Sequence, residues 1–304
     1  MTDEEKWLIE IPASAPKPKE KKFRERNPIW TECKAKLIER YLFHFVLVTK
    51  TGTYFDGFAG PQKKGKHEMW SAKLVLQSYP RWLKNFFLFD NSETQIKHLE
   101  EMVANQPPRD KKKSEPKRTV KICHGDFNVE IHEMLKEHPV RDKEPAFCLL
   151  DQRTFECDWA TVKAIANHKK GGNKIELFYF FPEGWVNRGI HATKIDKDQK
   201  LSKWWGNSRW HELTKMRGAI RANHVCERFK AELGYKYVQP FAIYEKSAKG
   251  GKIMYYMIHA SDHDDAMTLM NRAYQKALDL KDLNEQRDLL VHQLGKDFIG
   301  AAPN

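Results

Sequence analysis

Five short runs of apolar residues, separated by stretches with helical spacing, constrain the fold of this chain more than any other feature. The runs are Thr53–Phe55, Phe86–Phe89, Val120–Ile122, Ala146–Leu150 and Ile175–Phe180. Between them, apolar residues repeat with helical spacing over 71–77, 95–104, 128–136 and 159–167. Strands that are apolar on both faces and alternate with helices are typical of a parallel sheet covered on both sides. The sequence therefore predicts an α/β fold.

The elements that flank this alternation are also visible in the sequence. An amphipathic helix is predicted from Thr31 to Val48, before the first strand, with Thr31 as its cap. After the fifth strand, Tyr237–Tyr244 and Ile253–Ile258 flank a Gly-Gly loop, which predicts a β-hairpin. Two more helices are predicted at Asp265–Leu278 and Leu283–Leu294. The expected architecture is five parallel strands plus a terminal hairpin, an N-terminal helix and extra C-terminal helices.

The net charge of +12 is concentrated in two segments. Residues 1–27 combine prolines with a basic run from Lys17 to Arg26, which predicts a flexible basic arm ahead of a single domain spanning 28–304. The second basic run covers residues 109–118. Clustered Lys and Arg favour polyanions, so DNA or RNA is the expected partner, although solvated segments without a partner would carry the same charges.

Composition disfavours several classes of protein. No apolar run approaches the ~18 residues of a membrane span, and the acidic start does not resemble a signal peptide, so no membrane partner is expected. The five cysteines are dispersed without a CxxC pair, which favours reduced thiols in the cytoplasm and no metal centre. P-loop and Gly-x-Ser-x-Gly motifs are absent from the sequence, so nucleotidase and serine-hydrolase functions have little support.

An acidic residue follows each of the first four predicted strands. Asp56 begins the block Asp56-Gly57-Phe58-Ala59-Gly60-Pro61, and the other three are Asp90, Asp126 and Asp151. The carboxyl ends of parallel strands share one edge of the sheet, where open α/β folds bind ligands and where a carboxylate can hold ribose hydroxyls. The sequence therefore predicts a ligand site at this edge. Each aspartate could instead be an ordinary cap or turn residue.

The block that begins at Asp56 resembles motif I of class I S-adenosylmethionine-dependent methyltransferases. Over about 30–276, the chain more closely resembles the three-Cys-motif partner proteins (TcmP-like), a bacterial and phage-associated family with a methyltransferase-like fold. The blocks that carry this resemblance are Trp30-Thr31-Glu32-x-Lys34, Gly125-Asp126-Phe127, Leu150-Asp151-Gln152, Asn187-Arg188-Gly189 and Ala260-Ser261-x-His263. The resemblance implies a Rossmann-like class I methyltransferase sheet with S-adenosylmethionine as its cofactor.

The resemblance also implies roles for individual residues. The implied cofactor-binding residues are Asp56, Gly57, Phe58, Ala59, Gly60, Asp90, Asn91, Asp126 and Phe127. Asp151 and Gln152 would face the methyl group as catalytic residues. An aromatic side chain such as Phe155 could stack on a base, and Trp185 and Arg188 could form a substrate lip, but ordinary packing explains all three equally well.

Two functions remain open at this point. The first is a methyltransferase that acts on nucleic acid, for example on a base amino group. The second is a non-catalytic accessory protein with the same fold that partners a three-Cys-motif protein. Adenine-N6 methyltransferases carry an acid-Pro-Pro-aromatic motif after the fourth strand. Here Asp151-Gln152-Arg153-Thr154-Phe155 lacks both prolines, so this motif does not decide between the two functions.

Overall fold

A computed structural model describes residues 29–61, 69–110, 115–186, 195–244 and 253–278. Several predictions concern residues outside these ranges: the basic arm, Lys111–Lys113, Arg188, the Gly-Gly loop and the helix at 283–294.

Seven strands form one sheet in the order β3-β2-β1-β4-β5-β7-β6. They are β1 (Thr53–Asp56), β2 (Asn85–Asp90), β3 (Thr119–His124), β4 (Ala146–Leu150), β5 (Glu176–Phe181), β6 (Tyr237–Tyr244) and β7 (Ile253–Ser261). The first five pair in parallel, whereas β7 is antiparallel to both β5 and β6. This confirms the predicted Rossmann-like class I methyltransferase sheet, with five parallel strands and a terminal hairpin whose second strand lies inside the sheet.

Eight helices lie within the described ranges. They are α1 (Ile29–Thr49), α2 (Ser71–Gln77), α3 (Glu93–Ala104), α4 (Phe127–Glu137), α5 (Trp159–Ala166), α6 (Ile195–Trp205), α7 (Gly218–Leu233) and α8 (Ala266–Leu278). A 3-10 helix, Ser208–Lys215, joins α6 to α7. The first helix begins two residues before the predicted cap Thr31. In this part of the chain, no helix combines the length and hydropathy that crossing a bilayer requires.

The segment 195–233 holds two helices and a 3-10 helix that sequence analysis did not predict. Helix α6 carries many charged residues, and among residues 198–205 the buried side chains are Leu201, Trp204 and Trp205. Their i, i+3, i+4 spacing is nevertheless helical, so a signal was present. The end of α7 is also marked, because Gly234 adopts a left-handed conformation with φ 71° that glycine accommodates without strain.

The sheet is covered on both faces, as the continuous apolar strands predicted. In β4, Ala146, Cys148 and Leu150 pack into one apolar core, and Phe147 and Leu149 pack into the other. Helices α4–α7 cover the first face, and α1–α3 with α8 cover the second. Burial on both faces leaves the strand ends as the place where the sheet can meet a ligand.

The second basic run, at 109–118, is partly buried in the structure. The Glu115 carboxylate is 2% exposed and lies 3.4 Å from the guanidinium of buried Arg81. Arg118 donates to the carbonyls of Leu76 and Leu83 at 2.8 and 3.3 Å, and burial beside Arg81 lowers its pKa to about 10. Arg118 therefore fixes the chain just before β3. This corrects the alternative that the whole basic run is freely solvated.

Candidate functional site at the carboxyl edge of the sheet

A cavity of about 430 Å³ opens where the first four strands end. Its volume falls within the ~300–1,000 Å³ of small-molecule sites. The predicted site residues that line it are Gly57, Phe58, Gly60, Asp90, Asn91, Asp126, Phe127, Asp151 and Phe155. A cavity of about 480 Å³ at the opposite edge, beside Lys84 and Arg141–Pro145, has none of the strand-end aspartates. The carboxyl-edge cavity is therefore the candidate site.

The turn after β1 is held close to its neighbours by backbone hydrogen bonds. Gly57 N donates to Leu149 O at 2.9 Å, and Ala59 N donates to Phe89 O at 2.8 Å. A Cβ atom on Gly60 would lie 2.5 Å from Asp90 Oδ2 and 2.6 Å from Gln95 Cβ. Only glycine permits this approach, which brings the turn against the carboxylate at the end of β2.

Asp90 lies at the end of β2 and lines the cavity. Its Oδ2 accepts from Gly60 N at 3.1 Å, and its Oδ1 accepts from Ser92 N at 2.9 Å. A carboxylate offers about four lone-pair positions, so both oxygens keep acceptor capacity after these two bonds. The two backbone donors orient the carboxylate, and the remaining positions can accept from a pair of ligand hydroxyls.

Asp126 and Phe127 lie together at the start of α4. Asp126 is the N-cap of this helix, and its Oδ1 accepts from Asn128 N at 2.9 Å. The ring of Phe127 is buried and packs against Phe58, with ring centroids 5.7 Å apart. The predicted alternative that Asp126 is a helix cap is thus correct, but capping leaves its other carboxylate oxygen available at the cavity.

Asp56 and Ala59 lie beneath the turn and do not line the cavity. Asp56 is 1% exposed, and its carboxylate accepts from the Tyr54 hydroxyl at 2.8 Å and from Phe58 N at 3.2 Å. Burial raises the pKa of Asp56 to about 7, and the negative charge of Asp151 adds to this effect. The prediction of direct ligand contact needs correction for these two residues, because they support the turn from below.

Asp151 lines the cavity after β4 but is already paired. Lys34 Nζ, from α1, lies 2.8 Å from Asp151 Oδ1 and 2.6 Å from Oδ2, and both side chains are buried. Burial raises the pKa of Asp151, whereas the Lys34 ammonium lowers it. A buried acid next to a buried cation stays close to its partner, because separating them would leave an uncompensated charge.

Gln152 lies behind the cavity and is completely buried. Its Nε2 donates to Phe180 O at 3.1 Å, and its Oε1 accepts from Glu156 N and Cys157 N at 2.9 Å each. The Gln152 amide therefore joins the loop between β4 and α5 to strand β5. This geometry corrects the prediction that Gln152 contacts a target amine.

The three predicted substrate residues lie in different places. Phe155 lines the cavity and packs edge-on against Trp204 of α6, with ring centroids 4.8 Å apart. Trp185 is 44% exposed and does not line the cavity. Arg188 lies outside the described residues. Phe155 is thus a packed ring with one side at the cavity, and its stacking on a base stays a prediction.

Sequence analysis missed several residues that the fold brings to the cavity. Arg153 lines it from the β4–α5 loop, and Lys200 and Lys203 line it from the unpredicted helix α6. Asn128 also lines it and links two walls, since its Nδ2 donates to Asp126 Oδ1 and Glu156 O while its Oδ1 accepts from Asp158 N. The strand-end aspartates therefore face a wall that carries these three cations together with Glu156 and Asp158.

No family model and no curated protein matches this chain. Among solved structures, M. jannaschii TYW2 in complex with AdoMet is 10% identical, with a TM-score of 0.36 over 79% of this chain and 78% of that one. A Legionella pneumophila protein is 9% identical, with a TM-score of 0.46 over 84% and 96%. The methyltransferase domain of bacterial CtHen1-C is 7% identical, with a TM-score of 0.42 over 75% and 98%.

These similarities are too low to carry the assignment, which rests on the strand order. The resemblance to the three-Cys-motif partner proteins is supported by no family match and stays a prediction. On the order and direction of its seven strands, the chain has the Rossmann-like class I methyltransferase fold.

Proposed function

We propose that this chain binds S-adenosylmethionine in the carboxyl-edge cavity and transfers its methyl group to a nucleic acid. The observation that carries the proposal is the Asp90 carboxylate, which lines the cavity with acceptor capacity to spare beside the glycine turn of β1. In open α/β folds an acid at the end of the second strand is suited to ribose hydroxyls.

The chemistry of the cavity fits the parts of this cofactor. Asp90 would accept from the two ribose hydroxyls, and the outward oxygen of Asp126 would accept from the adenine amino group. The carboxylates of Asp90 and Asp126 line the same cavity and would lie near the sulfonium cation. Opposite charges in a partly buried site attract more strongly than in water, so the acidic edge favours this cofactor.

When bound, S-adenosylmethionine supplies an electrophilic methyl group. Asp151 would accept a hydrogen bond from the N–H of a target amino group and hold its nitrogen in line with the methyl donor. Lys34 would orient Asp151, which it contacts through both carboxylate oxygens.

The other wall of the cavity supports a nucleic acid as the substrate. Arg153, Lys200 and Lys203 can neutralise phosphates, which is the main source of affinity for DNA or RNA. Phe155 presents a ring at the cavity, and stacking a base on an aromatic ring contributes ~1–3 kcal/mol.

Calorimetric titration with S-adenosylmethionine and with its demethylated product tests the cofactor. Asp90→Ala should weaken binding by about tenfold to a hundredfold, because hydrogen bonds to a charged group are worth ~1.5–3 kcal/mol. Asp142→Ala, which removes an aspartate at the opposite edge of the sheet, should bind as the wild type does. Wild-type protein that takes up neither compound would refute the proposal.

A second candidate function is favoured by the environment of the catalytic candidates. Asp151 is held by Lys34, and the Gln152 amide is fully engaged in the scaffold. Both features suit a non-catalytic accessory protein that binds the cofactor and partners a three-Cys-motif protein. Methyl transfer from radiolabelled S-adenosylmethionine to RNA and DNA separates the two functions. Transfer that Asp151→Asn abolishes supports the enzyme, whereas cofactor binding without transfer, and capture of a three-Cys-motif protein, supports the accessory role.

A further inference from the structure

A basic surface runs along two packed helices on the side of the sheet covered by α1 and α8. Arg40 and His44 are four residues apart on α1, and Arg272 and Lys276 are four residues apart on α8. Residues at this spacing share a helix face. Arg272 and Lys276 are exposed, and Arg40 and His44 are partly exposed. We call these four residues the α1–α8 basic face.

The four residues are close enough to act on one another. Burial lowers the pKa of His44, and the charges of Arg272, Arg40 and Lys276 lower it further. The two helices therefore contribute to one patch of positive potential rather than to two separate rows.

Cations on several other helices are paired with acids. Every Lys and Arg of α3, α4, α5 and α7 has an acidic partner within 4 Å. Examples are Lys97 with Glu93, Lys136 with Glu133 and Lys230 with Glu227. Within the described ranges, no acid forms an ion pair with Arg40, Arg272 or Lys276. A cluster of unpaired cations on two packed helices indicates an anionic partner.

The basic face lies near the candidate site along the axis of α1. Lys34, which contacts Asp151 at the cavity, precedes Arg40 by six residues on the same helix. At 1.5 Å per residue, this separation is about 9 Å along the helix axis. A chain of phosphates that lies on α1 can therefore reach from the basic face toward the cavity.

We propose that the α1–α8 basic face binds the phosphate backbone of the nucleic acid whose target base enters the carboxyl-edge cavity. The choice of partner rests on the proposed function, because Lys34 joins α1 to Asp151 at the cavity that would receive the target base. The arginine forks of Arg40 and Arg272 match phosphate oxygens in pairs. The short distance to the cavity favours a nucleic acid over an anionic membrane, because a nucleic acid could contact the basic face and also place a base in the cavity.

The test compares two triple variants of the full chain that lose the same charge. The first, Arg40→Gln with Arg272→Gln and Lys276→Gln, removes unpaired cations. The matched control, Lys97→Gln with Lys136→Gln and Lys230→Gln, removes paired cations from three other helices. Fluorescence anisotropy with a labelled single-stranded RNA of mixed sequence is measured between about 50 and 200 mM salt.

The first variant should bind the RNA about tenfold more weakly, and its salt slope should fall by about 2, since each phosphate contact on a single strand contributes about 0.7. The control should bind as the wild type does. Equal affinity of the first variant and the wild type, or an equal loss in the control, overturns the proposal.

Two further measurements make each result interpretable. Calorimetry with S-adenosylmethionine should give the same affinity for all three proteins. If the wild type binds cofactor and RNA and the first variant binds RNA equally well, the role of the basic face is rejected and the proposed function stands. Wild-type protein that binds no RNA rejects the substrate class and this face together. Co-sedimentation with phosphatidylserine vesicles, without binding of RNA, would assign the face to a membrane and also overturn the proposal.

Discussion

At the scale of single residues, burial separates the strand-end aspartates into different roles. Asp90 and Asp126 line the cavity with backbone donors on one side, whereas Asp56 is enclosed beneath the turn. Asp151 lines the cavity but shares a buried ion pair with Lys34. Four residues of one type, at equivalent places in the sheet, thus differ in their bonding partners and in their access to the cavity because their neighbours differ.

The raised pKa of Asp56 predicts how stability depends on pH. Its pKa is about 7 in the folded chain and 3.8 without that environment, so folded protein keeps a proton that unfolded protein releases between these values. The free energy of unfolding contributed by this group therefore falls as pH rises from about 4 to 7. Asp56→Asn should remove this decline and should be more stable than the wild type near pH 8, by a few kcal/mol at most.

Urea unfolding of both proteins across this pH range measures the effect. The informative quantity is the difference between variant and wild type, because other groups titrate equally in both. A difference that does not change with pH would show that Asp56 is already ionised in the folded chain.

At the scale of elements, one buried ion pair fixes the segment that sequence analysis missed. Arg221 of α7 is fully buried and lies 2.9 Å from the Glu183 carboxylate, just after β5. The same guanidinium donates to Leu213 O at 2.8 Å and to Met216 O. Glu183 also accepts from Gly218 N at 2.9 Å. These bonds tie the 3-10 helix and α7 to the sheet edge, next to α6 with its cavity-lining lysines.

Arg221→Met should therefore destabilise the protein severely. The substitution keeps an unbranched apolar stem but leaves Glu183 buried without its cation, which typically costs ~3–5 kcal/mol. Urea unfolding followed by tryptophan fluorescence measures the change. Arg209→Met is the matched control in the same segment, since Arg209 pairs with Glu212 at the surface and its loss should have little effect. Equal losses in both variants would contradict the assigned role of Arg221.

At the scale of the whole molecule, the sheet joins two apolar cores into one unit. Neighbouring residues of a strand belong to opposite cores, as Cys148 and Leu149 do in β4. Unfolding of either core would expose strands whose opposite faces form part of the other core. The fold therefore favours cooperative loss of both layers, and the single domain from 28 to 304 stays a prediction.

Scanning calorimetry tests this expectation. A single transition, with calorimetric and van't Hoff enthalpies that agree, is the expected result for one cooperative unit. Two resolved transitions would contradict the single domain and would divide the chain into parts that unfold separately.

The sequence by itself determined the sheet and the place of the site. Strand and helix periodicities depend on neighbours a few residues apart, so β1–β7, most helices and the strand-end aspartates could be predicted from local pattern. The glycine turn was also visible in the sequence. The structure supplies the reason for Gly60, because a Cβ atom there would collide with Asp90. The helices of 195–233 were not predicted, although their buried side chains also follow helical spacing.

Only the tertiary structure decided which polar side chains are free and which are paired. Lys34 and Asp151 are separated by 117 residues in sequence, yet they form a buried ion pair. Gln152 became part of the scaffold because β5 and the loop before α5 present backbone partners to it. Arg40 and Arg272 form one face only because α1 packs on α8. Pairing and burial depend on which elements meet in space, and the periodicity of a single sequence carries no information about those encounters.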